Sequence, residues 1–289
     1  MPGQFDPTPN LQQQDRGPAR SGWAGRYWQG RSHDLGQMDL AQLARVFFPY
    51  PAIITYLLLA AASGALAVMA ATSWWQLVFG ALAGILIWPL AWYGIHRFIL
   101  HGKFLFRSKW TAKVWKRIHF DHHQDPQDLR VLFGALDNTL PTIFLMSVPL
   151  GYAIGAWGGA AAALSAALIV TVFNEFVHCV QHLNILPQWG VLQRIKRLHV
   201  AHHYHSEKGN FGIADYLWDR VFGSYYASAK DFPKSSTVYN LGYTQEQADK
   251  YPWVRDLSNG RRLDDGPRGI NQASLTQPAA ASPDQQRAA

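Results

Sequence analysis

Long uncharged stretches alternate with short, densely polar ones along this chain, and the alternation predicts its architecture. Between Val46 and Ile95 there is no Asp, Glu, Lys, Arg or His, and between Asn138 and Asn174 there is again none. A helix crosses a hydrocarbon core with about 20 apolar residues, so the first stretch has room for two such helices. The second has room for two shorter ones joined by a tight turn near Gly158 and Gly159. The pattern places the spans near residues 51–70, 75–95, 140–157 and 160–180. Soluble cores rarely run so far without a charge. The expected fold is therefore all-α, an integral membrane domain over 46–226 with four transmembrane helices and a helical cap. A polar leader over 1–45 and a polar tail over 227–289 flank it, and their composition predicts disorder in the leader and towards the end of the tail. Gly80/Gly84 and Gly151/Gly155 form small-x-x-x-small pairs that let helices approach closely.

Charge then orients the domain. The chain carries 26 Lys and Arg against 19 Asp and Glu, a net charge of +7, which by itself would suit a nucleic-acid partner. The basic residues, however, precede the first span, separate the second from the third, and follow the fourth, as with Arg45, Lys103, Arg107, Lys113, Arg194 and Lys196. The connections on the other face, near 71–74 and 158–159, carry no charge. By the positive-inside rule both termini and the cap are expected in the cytoplasm. Trp74, Trp75 and Trp157 then meet the opposite interface, where indole rings are favoured. The basicity reports topology, and no nucleic-acid partner is expected. The first 45 residues lack the apolar core of a cleavable secretory signal, and one cysteine, Cys179, excludes an internal disulfide.

Histidine supplies the chemistry. Eleven of the 12 histidines fall in four clusters: His96/His101, His119/His122/His123, His178/His182 and His199/His202/His203/His205, with His33 apart. Each cluster lies at the same expected face, at or just beyond the end of an apolar stretch. Histidine is the commonest transition-metal ligand, and repeated H-x-x-H-H spacing has few other uses. His178 and His182 are four apart and share a helix face, and the second and fourth clusters repeat that geometry. His96 and His101 are five apart, so the helix must distort or end between them if both point at one centre; it is expected to end near Leu100. Ten imidazoles from four elements exceed the four ligands of a structural zinc, which makes two metals sharing them the economical reading. An H-E-x-x-H protease signature is absent, because Cys179 follows His178. Asn174 and Glu175 lie one turn before His178 and are placed to orient its ring from an outer shell. Asp219 is a further outer-shell candidate.

Taken together, His96-Arg97-Phe98-Ile99-Leu100-His101, His119-Phe120-Asp121-His122-His123, His178-Cys179-Val180-Gln181-His182 and His199-Val200-Ala201-His202-His203 resemble, in order and spacing, the histidine boxes of the membrane fatty acid hydroxylase/sterol desaturase superfamily. Pro126-Gln127-Asp128 and Leu217-Trp218-Asp219-Arg220-Val221-Phe222-Gly223 look most like its fatty acid 2-hydroxylase branch. The resemblance implies a cytoplasmic centre of two iron ions, which zinc can replace, held by His96, His101, His119, His122, His123, His178, His182, His199, His202 and His203. It implies dioxygen as co-substrate and hydroxylation of a C–H bond of a fatty acid or fatty-acyl lipid. His205 is left to an outer shell. The second box lacks the extra histidines that the 2-hydroxylase branch carries there, so the resemblance does not extend to the carbon attacked. No His-Pro-Gly-Gly haem motif is present, so electrons are expected from a separate donor protein, with the lipid bilayer as the other partner. The absence of a haem domain and the short loops favour a bacterial inner membrane over the endoplasmic reticulum. Two alternatives differ in chemistry. A lipid or sterol desaturase of the same superfamily would remove two hydrogens, and a metal transporter or sensor would need ligands at the bilayer midplane, where these histidines are not.

Overall fold

The computed structural model describes residues 34–133 and 136–258. Among them the regular elements are helices, with one isolated antiparallel bridge between Asp34 and Asp128. Helix α1 (Leu40–Phe47) begins at a capping box in which the Asp39 side chain accepts from Gln42 N and the Gln42 side chain accepts from Asp39 N. Its Leu43 and Phe47, with Leu35 just before it, are fully buried in the main core. Residues 34–45, expected within a disordered leader, are instead docked onto the domain by Leu35 and Leu43 beside Phe47. Residues 1–33, His33 included, lie outside the described residues, as do 259–289.

Helices α2 (Pro51–Ala70) and α3 (Trp74–Gly94) fill the first uncharged stretch. Pro51 starts α2, where its missing N–H costs nothing. The buried positions of α2 are chiefly small, Ala52, Ala60, Ser63 and Ala67 among them, while Leu58, Leu66, Val68 and Met69 are exposed, Met69 at 80%. Large apolar side chains outside and small ones inside reverse the pattern of a soluble helix. These are membrane helices. Three segments are long and apolar enough to cross a bilayer: Pro51–Ala70, Trp74–Leu100 and Leu129–His182.

Between the second and third of these segments come the short helices α4 (Lys109–Trp115) and α5 (Asp121–Gln124). The third segment is more than one crossing long. It opens with the four-residue α6 (Leu129–Leu132) and continues as α7 (Leu136–His182), whose backbone leaves the helical region at Gly155 and at Ala156, φ +49°. Two arms fold back on each other at that break, so that a Cβ on Gly151 would lie 2.5 Å from the Gly159 carbonyl oxygen. The turn thus falls earlier than Gly158 and Gly159. Those glycines are used for close approach instead: Gly158 faces Ala71, and Gly159 faces Gly80 and Gly151. The expected pair Gly80/Gly84 packs within this chain, on Gly159 and Ala163 of the second arm.

Beyond the second arm come α8 (Gly190–Tyr204), α9 (Leu217–Val221), α10 (Gln245–Lys250) and α11 (Trp253–Leu257). The folded chain continues past the expected boundary at Tyr226. Leu241, Tyr243, Ala248 and Val254 share a core with Phe106, Trp115 and Phe120, because apolar residues spaced through an otherwise polar stretch are enough to anchor it.

Contact between α3 and α7 sets a testable difference between two glycines. A Cβ on Gly84 would meet the Ala163 carbonyl oxygen at 2.2 Å, whereas one on Gly94 meets nothing within 4 Å. Gly84→Ala is expected to destabilise the protein by about 1–3 kcal/mol through overpacking. Gly94→Ala should be neutral or stabilise by up to about 1 kcal/mol through helix propensity. Thermal unfolding in detergent checks the pair, and equal midpoints would contradict this packing.

Candidate metal centre

Four elements deliver ten imidazoles to one region, and each does so by a local device. A π-helical turn, Ile95–Leu100, follows α3, with His101 N donating to the His96 carbonyl 3.1 Å away. That five-residue hydrogen bond brings the His101 ring to 4.9 Å from the His96 ring, tilted by 50°, where an α-turn would splay the two apart. The helix both distorts and ends where the spacing required. Trp115 Nε1 caps the turn by donating to the Leu100 carbonyl at 2.7 Å. A second π-helical turn, Lys116–Phe120, links α4 to α5 and presents His119, with His122 and His123 following on α5. His178 and His182 occupy the last turns of α7, and His199, His202 and His203 the last turns of α8.

The ring nitrogens gather into two groups. His122, His178, His182, His199 and His203 form the first and His96, His101, His119 and His123 the second, with ligand atoms in each group within 4.8 Å of one another. His202 belongs with the second, its ring centroid 4.8 Å from His101 and 5.0 Å from His96. The rings of His123 and His203 stack at 4.3 Å and join the groups. Neighbouring residues on a helix diverge by about 100°, so each His-His pair must send its rings to different groups. The second and fourth boxes do so in opposite senses. His119 and His123 enter the second group and His122 the first; His199 and His203 enter the first and His202 the second.

The donor set fits metal ions. Within the groups, facing Nε2 atoms lie 3.2 Å apart for His96–His101, 2.8 Å for His101–His119, and 3.0 Å for both His122–His178 and His182–His199. Two nitrogens at right angles on a metal with bonds of about 2.0–2.1 Å would be about 2.9 Å apart. Nε2 of His123, His202 and His203 is buried with no hydrogen-bond partner, a costly state for a lone pair that a cation relieves. Burial, and after it the neighbouring imidazoles, holds His101, His119, His122, His199 and His203 well below the ordinary 6.5, which keeps them neutral and able to ligate. The cluster can hold a metal ion.

Three rings in the second group are braced by backbone carbonyls. Nδ1–H of His96 donates to Phe211 at 2.6 Å, that of His202 to Gly209 at 2.8 Å, and that of His123 to Val238 at 3.1 Å. Each bond fixes the tautomer that leaves Nε2 free for a metal. Asp219 acts one step behind: fully buried, it accepts from Phe211 N, Gly212 N and Ser224 Oγ at 2.7–2.8 Å, so it holds the loop that holds His96. The other outer-shell candidates sit elsewhere. Glu175 is buried in α7 with no hydrogen bond to a histidine, and half-buried Asn174 lines a cavity of about 330 Å³ with Trp92, Tyr93 and Asp215. His205 turns away and donates from Nε2 to the Phe232 carbonyl at 2.7 Å. Sequence reasoning missed the carbonyls of Gly209, Phe211 and Val238, since a backbone oxygen has no residue signature.

A second cavity, about 700 Å³, opens onto histidines of both groups: His96 and His119, and His122, His178 and His199. Its other walls are largely apolar, Trp88, Trp92, Ile95 and Leu100 among them, with Asn138, Thr139 and Thr142 as polar exceptions. Such a cavity suits an apolar chain laid against the cluster.

Comparison with known proteins agrees with this geometry. A family model described as fatty acid hydroxylase matches residues 81–224. A dihydroceramide fatty acyl 2-hydroxylase of Arabidopsis thaliana is 31% identical over 143 residues, covering 49% of this chain and 58% of that protein. A ceramide very long chain fatty acid hydroxylase of Saccharomyces cerevisiae is 30% identical over 54% of this chain and 40% of its own length. A fatty acid 2-hydroxylase of Rattus norvegicus is 29% identical over 48% and 37%. The matches thus span little more than half of these relatives at most. A solved structure described as full-length scs7p, with only the hydroxylase domain visible, superposes with a TM-score of 0.55 at 26% identity, covering 65% of this chain and 69% of that one. With its four boxes gathered into one cluster beside membrane helices, and the family's domain running from 81 to 224, the chain belongs to the fatty acid hydroxylase superfamily.

Proposed function

We propose that this protein is a membrane-bound lipid hydroxylase whose ten clustered histidines hold two iron ions, five imidazoles to each. The observation that carries the proposal is the convergence of two adjacent imidazole groups on one largely apolar cavity. Two irons bound there would supply activation of dioxygen, with electrons drawn from a separate protein. The chain's own residues do the rest. Trp88, Trp92, Ile95 and Leu100 hold an acyl chain against the cluster and exclude water, which fixes the C–H bond presented. The carbonyls of Phe211, Gly209 and Val238 keep three imidazoles in the ligating tautomer. One atom of dioxygen enters the C–H bond, and the other leaves as water after taking up the donated electrons and protons.

The kinked α7 supports four membrane crossings, its two arms serving as the third and fourth. The charge asymmetry supports a cytoplasmic cluster with both termini on that side, and a bacterial inner membrane remains the proposed location. The domain organisation we propose joins 34–258 into one hydroxylase unit. The substrate is a fatty acid or fatty-acyl lipid, as the names of the relatives suggest.

Purified protein reconstituted with iron is expected to hold about two ions per chain, because ten imidazoles cannot all serve one. His182→Ala and His202→Ala each remove a ligand from a different group, so each should lower bound metal and abolish product formation. His33→Ala should change neither. Lipids from expressing cells should gain one oxygen atom by mass spectrometry. Loss of two hydrogens would replace hydroxylation by desaturation, and metal uptake into vesicles without dioxygen consumption would replace the enzyme by a transporter.

Acid should loosen the metal-free chain over a defined window. Burial holds His202 down at about 4 against an ordinary 6.5. Between those values the unfolded chain binds a proton that the folded chain refuses, so this contribution to stability is intact above 6.5 and lost as pH falls towards 4. Denaturation midpoints of metal-stripped protein should fall across that window; a constant or rising midpoint would contradict the burial of neutral imidazoles.

A further inference from the structure

Residues 228–243 lie beyond the part of the chain that matches the family, yet they run from the last histidine box to the second. At one end they are tied to the residues that follow α8. Nε2 of His205 donates to the Phe232 carbonyl at 2.7 Å, and Ser235 N donates to the His205 carbonyl at 2.9 Å. Glu207, only 6% exposed, accepts with one carboxylate oxygen from Ser235 Oγ at 2.9 Å and from Thr237 Oγ1 at 2.6 Å. At the other end the strap grips α5. The Val238 carbonyl accepts from Nδ1 of His123, and the next carbonyl, Tyr239, accepts from the Gln124 amide. Leu241 and Tyr243 then enter the core around Trp115, just before the second π-turn, and Phe120, its last residue.

This arrangement leaves the strap little slack. A buried carboxylate is costly unless it is hydrogen-bonded, and the hydroxyls that Glu207 accepts from are those of the strap. Moving 235–237 would strand that carboxylate, and moving 238 would release the ring of His123. A histidine ligand whose other nitrogen is unbraced can rotate or change tautomer, and loss of such a brace lowers metal affinity about 10- to 100-fold.

We propose that the 228–243 strap is a clamp on the metal position formed by His96, His101, His119, His123 and His202, with Glu207 and His205 as its positioning residues. The proposal rests on the reading that these histidines hold metals. Both residues bond to the strap, and their effect passes along it to the Val238 carbonyl.

Release of metal from the full-length chain to a chelator tests it, with helix content followed by circular dichroism. Glu207→Ala should release one of the two metals about 10- to 100-fold faster than wild type while the other keeps its rate and helix content is unchanged. Glu207→Gln keeps an acceptor oxygen and should restore most of the retention. The double variant Ser235→Ala/Thr237→Val cuts the same bonds from the strap side and decides the matter should Glu207→Ala fail to fold. Wild-type release from both positions in the double variant, or in a folded Glu207→Ala, would overturn the clamp alone. A wild-type chain that holds fewer than two metals would overturn the site reading and the clamp together.

Discussion

Ten imidazole lone pairs must converge in a place where no proton can occupy them, and the rest of the structure follows from that requirement. Burial keeps the rings neutral, because a buried imidazolium lacks water and faces other rings of like charge. Neutral rings can turn ring-nitrogen lone pairs towards one another, and Nε2 atoms face each other at 2.8 Å in His101–His119 and 3.0 Å in His182–His199. A cation resolves both demands at once. The backbone braces behind His96, His123 and His202 turn this general affinity into fixed geometry.

Helix geometry explains why four boxes are arranged as they are. Residues four apart share a face, so His178 and His182 enter one group together. Adjacent residues diverge, so each His-His pair bridges the two groups and ties them into a single unit. The crossed pattern of the second and fourth boxes gives each group contributions from at least three elements. Detachment of one element shared by the two groups would therefore disturb both. Against that rigid polar cluster lie helices with an inverted packing pattern, small residues inward and large apolar ones outward, as on α2. The approach of Gly80 and Gly84 to the second arm of α7 holds α3 beside that arm, and the π-helical turn after α3 carries His96 into the cluster.

Much of this was legible in the sequence, and the remainder was hidden for identifiable reasons. Uncharged length marked α2, α3 and both arms of α7, since soluble helices rarely need such runs. Histidine spacing marked the cluster, and the five-residue separation of His96 and His101 required a distortion whose π form the structure supplies. Glycine was ambiguous. Gly158 and Gly159 read as a turn, yet they serve close packing, while the chain reverses at Gly155 and Ala156. Polarity misled in the leader, whose last residues Leu35 and Leu43 anchor beside Phe47, whereas the tail's first part, anchored by Tyr243 and Val254, lies before the stretch whose composition predicted disorder. Hydrogen bonds from imidazoles to distant carbonyls, such as His123 to Val238, depend on tertiary contact and leave no mark in local sequence.

The central claim is that two adjacent metals are each held by about five imidazole nitrogens, and X-ray absorption at the metal edge of purified, iron-loaded protein tests it most directly. The account predicts a first shell dominated by nitrogen at about 2.0–2.2 Å, with the outer-shell scattering of several imidazole rings per metal. A shell dominated by carboxylate oxygen or sulfur, or one or two imidazoles per metal, would contradict it.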